Sequence, residues 1–223
     1  MFLVIIIVIA IVIFIIKAMM PSDSDLTKQV LSQKRRTEEQ KNVIRYFLNE
    51  DGGCSSDNRM SDSEFDAIVS KYINQDHRSR AMNRIGLDEE ELREIEPICF
   101  HDYNFEKAYA RKGADGLWRS SSYQISWLFF SANQLYFYQE TVNFDCDEKR
   151  TSTEELYYKD VTSFSVVTET EEVMYSGQKV NVDSHKFKII VPGDKFFASL
   201  QLTPENERAI QGMKAKLREK KNA

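Results

Sequence analysis

Residues 123–143 read Tyr123-Gln-Ile-Ser-Trp-Leu-Phe-Phe130, then Ser131-Ala-Asn-Gln134, then Leu135-Tyr-Phe-Tyr-Gln-Glu-Thr-Val-Asn143. The outer runs are rich in aromatic and β-branched residues with a period near two, and the middle four are turn formers. Two such runs around a short turn predict a β-hairpin. Aromatic residues make up 12% of the chain, and most lie after residue 98. The hairpin therefore belongs to an aromatic, strand-rich second part, and the charged stretch before it is a separate helical part.

Moving toward the C-terminus, residues 145–153 read as a charged loop. Glu155-Leu-Tyr-Tyr-Lys159 then leads through Asp160 into a strand over residues 161–170, with Val161, Phe164 and Val166 as core contributors. Lys186-Phe-Lys-Ile-Ile-Val191 and Lys195-Phe-Phe-Ala-Ser-Leu200 flank Pro192-Gly193-Asp194, a second hairpin turn. Thr203-Pro204-Glu205 predicts a helix start, an N-cap followed by proline at N1. Ile210, Met213 and Leu217 give that helix one apolar stripe, and residues 214–221 place positive charge at its C-terminal end. With one strand over residues 105–111, about seven short antiparallel strands precede a terminal helix. A sheet set of this size needs closure or a covering element at its edges, so the expectation is a bent barrel plugged by the helix.

That element order is similar to pleckstrin-homology-like (PH-like) domains, including the GRAM and bacterial PH types. Tyr157-Tyr-Lys-Asp-Val-Thr-Ser-Phe-Ser165 resembles the strand start of the bacterial PH type. The whole chain also resembles uncharacterised bacterial proteins with an N-terminal span, a helical middle and an aromatic-rich C-terminal half. The fold class expected is thus α+β: a transmembrane helix over residues 1–20, a juxtamembrane helix and short helical region over 21–97, and a PH-like antiparallel β-barrel or sandwich with a C-terminal helix over 98–223. The resemblance carries no catalytic residues across.

In the helical region, Ser22 or Ser24 can cap a first helix. Residues 32–42 hold no apolar side chain and read as a solvated spacer. Gly52-Gly53 marks a turn. The acidic residues from Asp51 to Asp62 fail the EF-hand pattern, with Ser56 where glycine is required and Asp62 where glutamate closes the loop. Ser61 and Glu64 form a capping box before a stripe of Phe65, Ile68, Val69, Tyr72 and Ile73. Gly86 suits a helix stop. Asp88 starts a third short helix that Pro97 ends.

The first sixteen residues contain no polar side chain, and Lys17 interrupts the run before Pro21. Twenty helical residues rise roughly 30 Å, the thickness of a bilayer core. A cleaved signal peptide, a buried strand and an interfacial helix are the alternatives. The run lacks a basic start, a small-residue cleavage site, strand-like brevity and a polar face. Seven Lys and Arg side chains lie in residues 17–45 and none before them. The positive-inside rule then predicts a single-pass cell-membrane protein with its C-terminal part in the cytoplasm. Three scattered cysteines suggest neither a disulfide framework nor a zinc site.

The net charge of −5 gives no general attraction to nucleic acid. No nucleotide, hydrolase or metalloprotease motif occurs, so no cofactor and no small-molecule substrate is evident. His77 lies on a charged helix face and is expected to be solvated. Cys99 and His101 share a strand face, which fits a buried thiol beside a surface histidine better than a catalytic pair. Residues 140–172 hold ten acidic side chains against three basic ones, which disfavours a polyphosphorylated headgroup there. The reading is a non-enzymatic module for an unknown protein partner. The alternative is a lipid-surface sensor using Lys17, Lys34, Arg35, Arg36 and the basic C-terminal helix.

Overall fold

The computed structural model describes residues 35–48, 60–90, 92, 96–175 and 178–222. The predicted span over residues 1–20 lies outside them. Among the described residues no helix is long and apolar enough to cross a membrane. They form an α+β fold of four helices and three antiparallel sheets.

Three short helices come first: α1 (Glu38–Leu48), α2 (Asp62–Ile73) and α3 (His77–Ile85). Thr37 and Gln40 exchange backbone and side-chain hydrogen bonds at the start of α1. Ser61 and Glu64 form the expected capping box on α2. Gly86 adopts φ +84° and ends α3, its N–H returning to the Met82 carbonyl. The helical stripe is interrupted at Asn74, because the Asp76 carboxylate caps a new helix by accepting from Ser79 N–H. Asp88 accepts from Glu90 N–H in a turn; residues 91 and 93–95 of the expected third helix lie outside the described residues.

The four-stranded sheet runs β1 (Ile98–Asn104), β4 (Ser122–Phe130), β5 (Gln134–Asn143), β6 (Lys149–Tyr157) in that order. The quoted hairpin is β4–β5, closed with Phe130 opposite Leu135. A small ribbon of β2 (Ala110–Lys112) and β3 (Trp118–Ser120) is inserted before it. The other sheet runs β7 (Ser163–Tyr175), β8 (Gln178–Val191), β9 (Asp194–Ser199), with the Pro192-Gly193 turn between β8 and β9. Helix α4 (Pro204–Asn222) follows, its first turn capped by Thr203 Oγ1 accepting from Asn206 N–H.

The described residues hold nine strands against about seven expected, because β1, β2 and β3 stand where one strand over residues 105–111 is expected. Two differences have one cause. Residues 149–153, expected in a loop, belong to β6, and β7–β8 continues to Tyr175 and Gln178. Both segments are largely solvated, so cross-strand pairs such as Lys179 with Glu172 replace the apolar alternation that marks a strand in sequence. The third difference lies at residues 105–109, which form a loop with Lys107 at φ +54°.

The large sheet has two buried faces. On one, Phe100, Leu128, Leu135, Phe137 and Leu156 meet Phe164, Phe187 and Ile189 of the second sheet, and Ile210, Met213 and Leu217 of α4 close that end. On the other, Tyr123 and Ile125 pack with Tyr46, Phe47, Phe65, Val69 and Tyr72 of α1 and α2. The helices therefore share a core with the sheet. Arg119 strengthens the join with a bidentate bond to Asp66 (2.7 and 2.8 Å) and further bonds to Asp115. Gly113 makes room for it, since a Cβ there would collide with Arg119 Nη1.

Candidate functional site

The apolar end of the two-sheet core reaches the surface beside α4. Phe164 and Val166 lie on one face of β7 and pair with Ile189 and the buried Phe187. Phe164 is buried, but Val166 stays 38% exposed because it lies beside the helix, where nothing among the described residues covers it. The expected core role of Val166 is corrected accordingly, while Val161 is fully buried as expected. Leu202, in the connection to α4, is 48% exposed. Together with Pro204, Ile210 and Gln211 these residues line a groove of about 840 Å³ between β7 and α4. Among the described residues β7 is the terminal strand of its sheet and pairs only with β8. Its outer edge therefore offers unpaired backbone donors and acceptors along the groove. A second apolar furrow, of about 420 Å³, lies between α4 and Ile98.

Of the four basic residues singled out from sequence, only Arg35 and Arg36 are among the described residues. Lys17 and Lys34 lie outside the described residues. Arg35 is exposed. Arg36 folds back onto the β5–β6 connection, its Nε donating to the Asp145 carbonyl at 2.8 Å and its guanidinium lying 3.8 Å from the Asp145 carboxylate. That side chain is only 13% exposed.

His77 corrects the sequence expectation most strongly. It is 4% exposed, with its Nε2 2.6 Å from the Tyr72 carbonyl and its Nδ1 3.6 Å from Glu140 Oε1. The sequence offered no sign of this, because the cluster that holds it comes from four separate elements. Glu140 of β5 is 1% exposed. It accepts from the Tyr72 hydroxyl at 2.6 Å and the Tyr138 hydroxyl at 2.9 Å, and pairs with Lys149 at 2.6 Å and Arg80 at 3.2 Å. Burial pushes the Glu140 carboxyl upward, but the adjacent His77 ring and the hydrogen bonds from Lys149, Tyr72 and Tyr138 outweigh it and hold the group well below the ordinary carboxylate range. This cluster ties α2 and α3 to the sheet.

Cys99 and His101 do lie on one face of β1, but they form no activated pair. Burial pushes the Cys99 thiol up to about 12, so it stays protonated near neutral pH and is a weak nucleophile. His101 Nδ1 lies 2.7 Å from the Tyr123 hydroxyl, and burial lowers its pKa. Asp102 faces the opposite side of the strand, where burial raises its pKa against bonds from Tyr103 N–H and Gln201. It cannot orient His101. His185 stands on β8 beside Thr168. Among the described residues no three His, Cys, Asp or Glu side chains converge as a metal site would need.

The acidic excess read over residues 140–172 is distributed over both sheets and largely paired. Lys186 lies 2.9 Å from Glu169 and 2.8 Å from Glu171, and Arg150 Nε donates to Glu148 at 2.9 Å. Burial alone would lower the Lys186 pKa; the bonds to Glu169 and Glu171 raise it.

No family model, no curated protein and no solved structure matches the chain. Function must be argued from the geometry alone.

Proposed function

We propose that the chain is a membrane-anchored, non-enzymatic PH-like module that holds a protein partner at the cytoplasmic surface. The PH-like assignment is supported by the order of elements: a four-stranded sheet, a facing three-stranded sheet, and a helix against one end of the core between them. The anchor and its orientation are supported by the apolar run over residues 1–20 and the basic residues that follow it.

The observation that carries the binding role is the groove beside Val166. Its occupant on this reading is an extended segment of the partner. Such a segment pairs its backbone with the outer edge of β7 and places apolar side chains against Val166, Leu202 and Ile210. The lipid-sensing alternative is less well supported, because Arg36 is engaged by Asp145.

The double variant Val166→Arg with Leu202→Glu tests this reading in the full-length chain. Both residues are exposed, so unfolding free energy shifts by less than about 1 kcal/mol. Retention in carbonate-washed membranes is unchanged, and capture of the partner by affinity purification is lost. Capture of the same polypeptides by the variant and the parent contradicts the proposal.

A further inference from the structure

At the end away from α4, the space between the sheets is polar and open. The side chains that face the second sheet form cross-strand rows on the large sheet. Asn104, Ser122 and Asn143 make one row; Asp102, Gln124, Thr141 and Arg150 the next; Phe100, Ser126, Gln139 and Ser152 the third. Beyond the third row the same face turns apolar with Leu128 and Phe137. The first rows line a cavity of about 370 Å³, which continues into one of about 280 Å³ walled by Phe137 and Phe196. Two glutamines set the boundary. Gln139 Nε2 donates to the Phe197 carbonyl at 2.6 Å, and Gln124 Oε1 accepts from Ser199 N–H at 2.7 Å, so both amides satisfy the free edge of β9.

Inward positions of a sheet facing another sheet are ordinarily apolar. Here they carry amides and hydroxyls, many of them bonded to one another: Gln124 Nε2 donates to Thr141 Oγ1, Gln139 Nε2 to Ser126 Oγ and Asn143 Nδ2 to Glu148. Ser152 is exposed on the edge strand β6, and its hydroxyl lines the cavity.

We infer that this cleft binds a neutral, multiply hydroxylated ligand, a saccharide of one or two rings. Carboxamides and hydroxyls both donate and accept, as vicinal sugar hydroxyls require. Phe196, half-buried at the inner wall, offers apolar surface to a sugar ring face. The lining mixes Glu106 and Glu148 with Lys107, Arg150, Lys186 and Lys195, and acids engage Arg150 and Lys186, so it offers a phosphate or nucleotide no purely cationic cradle. The volume is near the small end of the roughly 300–1,000 Å³ of small-molecule sites. This inference is independent of the groove beside α4.

Isothermal titration of the full chain with maltose, cellobiose and chitobiose tests it, in a detergent without a sugar headgroup. At least one disaccharide binds saturably. Ser152→Trp, an exposed edge-strand change that fills the cleft, weakens that binding at least about tenfold, a loss of about 1.4 kcal/mol. Thr153→Trp, one residue along on the opposite face, leaves it unchanged. The inference is overturned by absence of saturable binding to all three sugars, or by binding that survives Ser152→Trp. It is equally overturned by tighter binding of an uncharged Ser/Asn-rich hexapeptide, which assigns the cleft to a polypeptide.

Discussion

Glu140→Ala is expected to lower the unfolding free energy by about 3 kcal/mol, the lower end of what removing one member of a buried ion pair costs. The carboxylate is 1% exposed, but Lys149 and Arg80 are 43% and 38% exposed, so water can take over part of their solvation once the partner is gone. The hydroxyls of Tyr72 and Tyr138 lose their acceptor. Urea unfolding followed by circular dichroism measures the loss. The pH dependence has a fixed sign. The folded-state pKa of Glu140 lies below its ordinary 4.5, so its contribution is complete above about pH 4.5 and fades as pH falls toward the folded-state value. The parent should therefore lose stability more steeply below pH 4.5 than Glu140→Gln does. Equal slopes for the two proteins would mean that the cluster does not hold the charge as described.

The second large effect is Phe65→Ala, expected to cost about 4 kcal/mol. Phe65 is fully buried and stacks on Tyr46 at 4.9 Å, with Phe47 at 5.1 Å and Phe144 of the sheet side at 5.9 Å. Removing the ring leaves a void in the layer that joins the helices to the sheet. Because that layer is shared, helical circular dichroism and the fluorescence of Trp118 and Trp127 should lose their signals in one coincident transition, in parent and variant alike. Helices that melt before the tryptophan signal moves would show two independent units.

Some of this was legible in the sequence, and the physical reasons differ from element to element. The β4–β5 hairpin declared itself because both its faces are buried and its aromatic content is dense. The capping box at Ser61, the left-handed Gly86 and the Thr203-Pro204 start are local devices, read from a few neighbouring residues. β6 did not declare itself, since an exposed edge strand of Lys, Arg, Thr and Ser carries no hydrophobic period. His77 was misjudged for a related reason. Its neighbours in sequence are charged, but its neighbours in space are Tyr72 and Glu140, which lies 63 positions away. Neither candidate binding surface was visible. The groove depends on how α4 lies beside Val166, and the cleft on register between strands. Only the polar residues at inward positions, Gln124 and Gln139 within an aromatic hairpin, hinted that one end of the core was not filled.

The claim on which the functional account depends is that the groove beside β7 receives a polypeptide. A photo-crosslinking amino acid placed at position 166 in the full-length chain, and separately at position 117, tests it most directly in intact cells. Leu117 is 63% exposed, lies on the β2–β3 turn and takes no part in the groove. Light should yield a discrete protein adduct from position 166 and none from position 117. Adducts of equal yield from both positions, or none from position 166, would contradict the account.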